Sequence, residues 1–83
     1  MSLMDIRVNV LDGDSLRLSL PCNTSVKQLM ELLREKTGIE EDCQVILYMG
    51  RVLEKDKLLS EYNVHSGVCI QLVRHQRRMD NGN

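Results

Sequence analysis

Strict alternation of hydrophobic and polar positions predicts two strands near the start of the chain. Residues 5–10 alternate isoleucine and valine with polar side chains, and residues 15–20 alternate leucine with serine and arginine. A period of two is the pattern of a strand that buries one face. Asp12 and Gly13 stand between the two segments, and glycine accepts the positive φ that hairpin turns require. The pattern therefore predicts a β-hairpin that ends at Pro21.

A helical period follows the hairpin. Within Val26–Thr37 the apolar residues fall at i, i+3, i+4 and i+7, which is one face of an amphipathic helix. Ser25 and Gln28 have the spacing of a capping box at its start. Gly38 supplies a left-handed residue at its end, and Ile39 can then fold back on the last turn as in a Schellman motif. We expect one helix of these bounds.

The rest of the chain predicts short elements that complete a sheet. Tyr62 is expected to fix its own segment through its hydroxyl group. A single helix that covers one face of a mixed, four- to five-stranded sheet is the β-grasp arrangement, an α+β fold. In order, the pattern predicts a strand at Gln44–Tyr48, a turn at residues 49–50, a short edge strand at 52–53, a turn or 3₁₀ segment at 59–64 and a last strand at 68–74.

Composition narrows the class of protein. The chain has 83 residues, of which 42% are hydrophobic, so it is expected to form one small domain. Phe and Trp are absent, which makes the core aliphatic. The net charge of −1 gives no overall attraction to nucleic acid or to a membrane surface, and no apolar run is long enough to span a bilayer. We therefore expect neither of those partners.

The domain is expected to occupy residues 4–75. Residues 1–3 precede a second methionine, Met4, and are interpreted as an expression scar. Residues 76–83 have no hydrophobic period and are interpreted as a flexible polar tail or linker.

Cysteine usage indicates a reducing compartment. Cys22, Cys43 and Cys69 are an odd number, widely spaced and without a CxxC pair, so neither a disulfide framework nor a metal site is expected. That fits the cytoplasm, the nucleus or both. No nucleophile–base pair can be assembled from the sequence, so we expect no catalytic residue, no enzyme and no cofactor.

Six segments resemble ubiquitin in the same order, and the two sequences align without a gap from Met4 to Arg74. One such motif would be weak, whereas six in register identify the chain as a member of the ubiquitin-like superfamily. Residues 50–53 together with 61–64 are similar to the N-terminal domain of the BAG6/Scythe chaperone. The closing segment, residues 67–73, is similar to ubiquilins and to UHRF-type nuclear ligases. The six segments are MDI at 4–6, LDG at 11–13, KTGI at 36–39, GRVLE at 50–54, LSEYNV at 59–64 and LV at 72–73.

The resemblance implies a binding surface on the uncovered sheet face. The apolar patch through which ubiquitin is mostly bound corresponds here to Leu11, Leu47 and Val73, with Gly50 beside it. Strand alternation independently indicates the same face. Leu47 and Val73 follow the expected core residues Ile46 and Leu72, so their side chains point to the other side of the sheet and are expected in solvent. Clustered apolar area on a small domain marks a binding site. The alternative is that each is a scattered surface hydrophobe, which is common.

Departures from the family pattern predict a broader, more apolar patch. Val45 stands where the family has an arginine, and Gln71 where it has a histidine, while Arg51 and Arg74 are expected to rim the patch with positive charge. An amphipathic helix with an apolar centre and an acidic edge would suit it. Ubiquitin-interacting helices, ubiquitin-associated domains and proteasomal receptors are the expected partners, and the isolated domain is expected to be a monomer.

Three classes of function compete. The first is a non-covalent interaction module of a larger protein in the ubiquitin–proteasome pathway or in chaperone-assisted protein quality control. The second is a covalently conjugated modifier, which needs a terminal diglycine; Arg78 and Met79 stand at those positions, so conjugation would require a longer, processed precursor. The third, a β-grasp catalyst or cofactor carrier, would need four cluster-binding cysteines or the diglycine. We predict the first.

Overall fold

A mixed sheet supports every other part of the molecule. The computed structural model describes residues 2–75. Five strands lie in the order β2-β1-β5-β3-β4, with β1 and β5 parallel and the other pairs antiparallel. One main helix, α1, packs on the sheet, which confirms the predicted β-grasp fold. The elements are β1 (Leu3–Val10), β2 (Ser15–Pro21), α1 (Val26–Thr37), a 3₁₀ turn (Glu41–Cys43), β3 (Gln44–Tyr48), β4 (Arg51–Val52), a second 3₁₀ turn (Leu59–Tyr62) and β5 (Cys69–Arg74).

The predicted bounds hold best for α1 and β3, which are both confirmed to the residue. Strand β4 lies one residue earlier than predicted, and β1 begins at Leu3, which pairs with Pro21. The interpretation of residues 1–3 as an expression scar stays a prediction. The predicted tail, residues 76–83, lies outside the described residues.

The β1–β2 turn forms where predicted, although its left-handed residue is a different one. Asp12 has a φ of 63°, whereas Gly13 has no positive φ. Aspartate tolerates this conformation better than most residues. The N–H of Gly13 donates to the carbonyl of Val10 at 2.9 Å. A Cβ at residue 13 would lie 3.3 Å from Cγ1 of Val10, so glycine is useful here for space rather than for φ.

The start of α1 is fixed by its own sequence. The Oγ of Ser25 accepts the Gln28 N–H at 3.0 Å, and Oε1 of Gln28 accepts the Ser25 N–H at 2.9 Å. The predicted capping box is therefore confirmed. It satisfies two backbone donors that a helix start leaves without partners.

The end of α1 follows the prediction only in part. Gly38 is left-handed with a φ of 78°, and its N–H donates to the carbonyl of Arg34 at 2.8 Å. Ile39 folds back and is buried, as expected. Its N–H, however, donates to Oγ1 of Thr37 at 3.1 Å rather than to a helix carbonyl. The end is therefore the simpler left-handed cap and not the Schellman motif, because a side-chain hydroxyl takes the second donor.

The core lies between α1 and one face of the sheet. It is aliphatic, because each strand turns alternate apolar residues toward one apolar face of the helix. The residues on the other alternation are left on the uncovered side, here called the open face. The buried side chains of these elements are Met4, Ile6, Val8, Leu18, Leu20, Val26, Leu29, Met30, Leu33, Ile46, Ile70 and Leu72.

The loop between β4 and β5 is held by the side chain that the sequence singled out. The N–H of Glu54 donates to the hydroxyl of Tyr62 at 3.0 Å, which confirms the predicted role of that group. The second 3₁₀ turn then ends at Asn63, a left-handed residue with a φ of 63°. This contact ties the segment just after β4 to the turn and so fixes one border of the open face.

Gln44 is a polar residue inside the core. Its Nε2 donates to the carbonyl of Met30 at 2.8 Å and to that of Ile39 at 3.0 Å, while its Oε1 has no partner in the described chain. The Ile39 carbonyl follows the helix and lies beside a buried side chain, so it needs such a donor. Gln44 therefore joins the first residue of β3 to the helix and to the segment that follows it.

Replacing Gln44 by methionine, which has a similar shape and no N–H donor, should lower the free energy of unfolding by about 1–3 kcal/mol, since a buried carbonyl loses its partner. Urea unfolding followed by circular dichroism measures the change. Gln71→Met is the matched control, because Gln71 is exposed on β5 and its replacement should change stability by less than about 0.5 kcal/mol. Equal stability of the two variants would contradict the structural role of Gln44.

Candidate binding surface

Strand register decides which side chains share the open face. Val45 lies opposite Val73, and Leu47 lies opposite Gln71 across β3 and β5. Leu47 also lies opposite Val52 of β4. Directly opposite residues point to the same side of a sheet, with Cβ atoms about 4.5–5.5 Å apart. These five side chains therefore lie together, as the sequence predicted for four of them.

Leu11 extends this group at the end of β1. Its N–H donates to the carbonyl of Leu72 at 2.9 Å, which places it beside Val73 on β5. We refer to Leu11, Val45, Leu47, Val52 and Val73 as the apolar patch. The patch crosses four neighbouring strands, and no part of the described chain covers it.

Exposure within the apolar patch is uneven. Leu11 and Val52 are 60% and 58% exposed, whereas Val45, Leu47 and Val73 are half-buried. Leu47 and Val73, which were expected in solvent, are thus only partly exposed. Side chains on adjacent strands shield one another, because the strands are only about 4.8 Å apart. The patch consequently has a partly shielded centre and two more exposed ends.

Sequence reasoning missed two apolar residues at the β4 end of this surface. Val52 was predicted to lie in a short strand, but a two-residue strand has no readable period, so the side of the sheet that it faces was not predicted. The signal that could have shown this is that Val52 immediately precedes Leu53, which is buried. Met49 is 81% exposed and was treated only as a turn residue. A methionine side chain is flexible and polarisable, so it adapts to differently shaped partners.

The β3–β4 turn holds Met49 and Gly50 in left-handed conformations, with φ values of 53° and 77°. Two successive residues of this kind form the hairpin turn that matches the twist of the flanking strands. Gly50 lies in open space, where a Cβ would meet no atom within 4 Å. Its backbone conformation, rather than a close approach, favours glycine at the border of the patch.

Arg51 and Arg74 lie on the other alternation of their strands. Arg51 is opposite Tyr48, and Arg74 is opposite Gln44, whose side chain is in the core. Both arginines are exposed at the margins of the sheet. Their Cβ atoms therefore point away from the apolar patch, and each side chain would have to turn round the strand to reach it. The positive rim stays a prediction.

The other half of the open face is polar. Asn9 is central to it: its Nδ2 donates to Sγ of Cys69 at 3.0 Å, and its Oδ1 accepts the hydroxyl of Ser15 at 2.8 Å. Arg7 and Arg17 lie next to this group on β1 and β2. The open face is thus divided, with aliphatic side chains toward β4 and polar, basic ones toward β2.

Neither a metal site nor a membrane-spanning helix is found in residues 2–75. No three or more His, Cys, Asp or Glu side chains in this part of the chain are placed to hold a metal ion. None of its helices is long and apolar enough to cross a membrane. Cys22, Cys43 and Cys69 are free thiols.

Comparison with known sequences finds one family over most of the chain. The model of the family described as "Ubiquitin family" matches residues 6–77. Large proline-rich protein bag6-B of Xenopus laevis is 37% identical over 70 residues, which are 84% of this chain and 6% of that protein. Ubiquitin-like protein NEDD8 of Dictyostelium discoideum is 29% identical over 70 residues, which are 84% of this chain and 91% of that protein. The chain thus spans a small part of the first relative.

A solved structure has the same fold. The crystal structure of the UBL domain of Plasmodium falciparum Dsk2 superposes with a TM-score of 0.84, covers 88% of this chain and 99% of its own, and is 23% identical. The resemblance stated from the sequence is therefore confirmed by a family match and by a shared sheet and helix. The chain belongs to the ubiquitin family.

Proposed function

We propose that this chain is a non-covalent protein-interaction module, bound through its apolar patch by components of the ubiquitin–proteasome pathway. The observation that carries the proposal is the patch itself, in which aliphatic side chains of β5, β3 and β4 lie together with Leu11, the residue just after β1, on a face that the helix leaves uncovered. Its place within a much longer protein is supported by the bag6-B relative, of which the matched segment is 6%. Ubiquitin-like domains are generally not enzymes, and we propose no catalytic role.

The shape of the apolar patch suits a helix. From Leu11 to Val52 the surface crosses three inter-strand spacings, or about 14 Å. An α-helix with its side chains is about 10–12 Å in diameter. Small apolar residues of a partner helix can pack on the half-buried Leu47 and Val73 at the centre and on the more exposed Leu11 and Val52 at the two ends.

The proposed partners follow from this chemistry. The apolar patch offers few hydrogen-bonding side chains, so a ubiquitin-interacting helix, a ubiquitin-associated domain or a proteasomal receptor would bind it mainly through apolar contact. Acidic residues at the edge of such a helix would find Arg51 and Arg74 at the sheet margins, if those side chains turn toward the patch. An interface of this width falls in the small, transient class. We propose the cytoplasm or nucleus as the compartment.

A covalent modifier is the second candidate. The NEDD8 relative favours it, because the alignment covers 91% of that protein and the two share one domain of the same size. The residues at the positions where ubiquitin carries its diglycine weigh against it. They are Arg78 and Met79, and activating enzymes admit an unbranched tail.

Leu47→Ala should weaken binding of a ubiquitin-interacting helix by about tenfold, which corresponds to about 1.4 kcal/mol, while the fold persists. Amide chemical shifts of the ¹⁵N-labelled chain, followed during titration with the helix, give the dissociation constant and the site. The shifts should centre on Leu11, Leu47 and Val73.

Leu58→Ala is the matched control for that measurement, because Leu58 is another partly exposed leucine, 39% accessible, in the loop before the second 3₁₀ turn. It should leave the dissociation constant unchanged. Shifts confined to α1, or equal losses for both variants, would rule out the apolar patch as the binding surface.

Incubation of the chain with ATP and a ubiquitin- or NEDD8-activating enzyme should give no thioester on a non-reducing gel, because Arg78 and Met79 block entry of the tail. Ubiquitin in a parallel reaction is the positive control. Formation of a thioester would replace the proposed module by the covalent modifier.

A further inference from the structure

Two arginines face each other on the polar half of the open face. Arg7 of β1 lies directly opposite Arg17 of β2, and Arg7 is also paired with Cys69 of β5. Opposite residues have Cβ atoms about 4.5–5.5 Å apart, so like charges at such positions repel each other. Both arginines are exposed, and neither takes part in an ion pair within residues 2–75. An anion bound between them would remove that repulsion.

An open groove of about 680 Å³ contains both arginines. Its single carboxylate is Asp5, which lies on the same side of β1 two residues before Arg7 and does not form an ion pair with either arginine. The groove therefore carries a net charge of +1 (two guanidinium groups less one carboxylate), although the whole chain carries −1. Its positive charge is a local property.

The base of the groove is a strand paired on both sides. Strand β1 is hydrogen-bonded on both sides, to β2 and to β5. The side chain of Asn9, two residues after Arg7, is hydrogen-bonded to Ser15 of β2 and to Cys69 of β5. A guanidinium group presents a planar fork of donors that matches a carboxylate with two parallel hydrogen bonds. The groove thus offers two such forks on an ordered base.

We propose that Arg7 and Arg17 form a second docking site, which binds an acidic peptide segment through its carboxylates. An extended peptide projects alternate side chains on the same side, so two glutamates or aspartates in alternate positions can reach the two arginines. The site is distinct from the apolar patch. A partner that carries an acidic stretch next to an amphipathic helix would occupy both halves of the open face.

Nucleic acid fits the groove less well than a peptide does. Single strands are held by aromatic side chains that stack on bases together with a long basic track. The groove has two basic side chains, and no aromatic residue lines it.

The test is an amide chemical-shift titration of the ¹⁵N-labelled 83-residue chain with acetylated hexaglutamate amide at low ionic strength. Shifts should saturate and centre on Arg7, Arg17 and Cys69. Arg7→Gln and Arg17→Gln should each weaken binding about threefold, and together about tenfold, as expected for exposed ion pairs. The matched control is Lys36→Gln, an exposed cation on α1, which should leave binding unchanged.

Three further measurements test whether the binding depends on carboxylates, on charge and on a site separate from the apolar patch. Hexaglutamine should cause no shifts at these residues, and added salt should weaken the hexaglutamate response. Leu47→Ala should weaken binding of a ubiquitin-interacting helix about tenfold and leave hexaglutamate binding unchanged, which separates this site from the proposed function. Undiminished binding by the double variant, equal loss with Lys36→Gln, or a tighter response to oligothymidylate at the same residues would overturn the acidic-peptide site. If the double variant fails to fold, unchanged binding by both single variants overturns it equally.

Discussion

The parallel pairing of β1 with β5 is the constraint on which the rest of the molecule depends. It joins residues about 60 positions apart, from Arg7 with Cys69 to Val10 with Leu72, and it forms the middle of the sheet. The hairpins on either side can each form locally, whereas this pairing closes the whole chain into one layer. Because side chains alternate along paired strands, its register also decides which residues face α1 and which face outward. The register of this one pairing therefore determines both the core residues and the residues of the binding surface.

Local signals in the sequence predicted the parts of the fold that local interactions decide. α1 was found to the residue, since the capping box and Gly38 mark its ends, and β3 was found to the residue as well. β4 was misplaced by one position because two residues have no period. The Asp-Gly signal located the first turn but not its left-handed residue, which is Asp12, while Gly13 leaves space beside Val10.

The candidate surface, too, was predictable from the sequence only where local patterns decide it. Alternation gave the correct face for Leu47 and Val73, but their exposure depends on neighbours across the strands, which a single segment does not reveal. Resemblance supplied positions without directions: it predicted Arg51 and Arg74 as a rim of the patch, and only the register shows that their Cβ atoms lie on the opposite alternation. The basic pair on β1 and β2 was overlooked because each arginine alone is an ordinary strand residue.

The outer strands of the sheet govern how copies of the chain meet one another. β2 and β4 are the two edges, and an edge strand offers unpaired backbone groups to any second strand. β4 is two residues long and bounded by a tight turn, so it offers almost no template. β2 is longer, but it ends at Pro21, which has no N–H, and carries the charged Arg17 at its middle. The arginine proposed to bind acidic partners thus also lies on an edge strand, where a charged side chain disfavours pairing with a second copy of the chain.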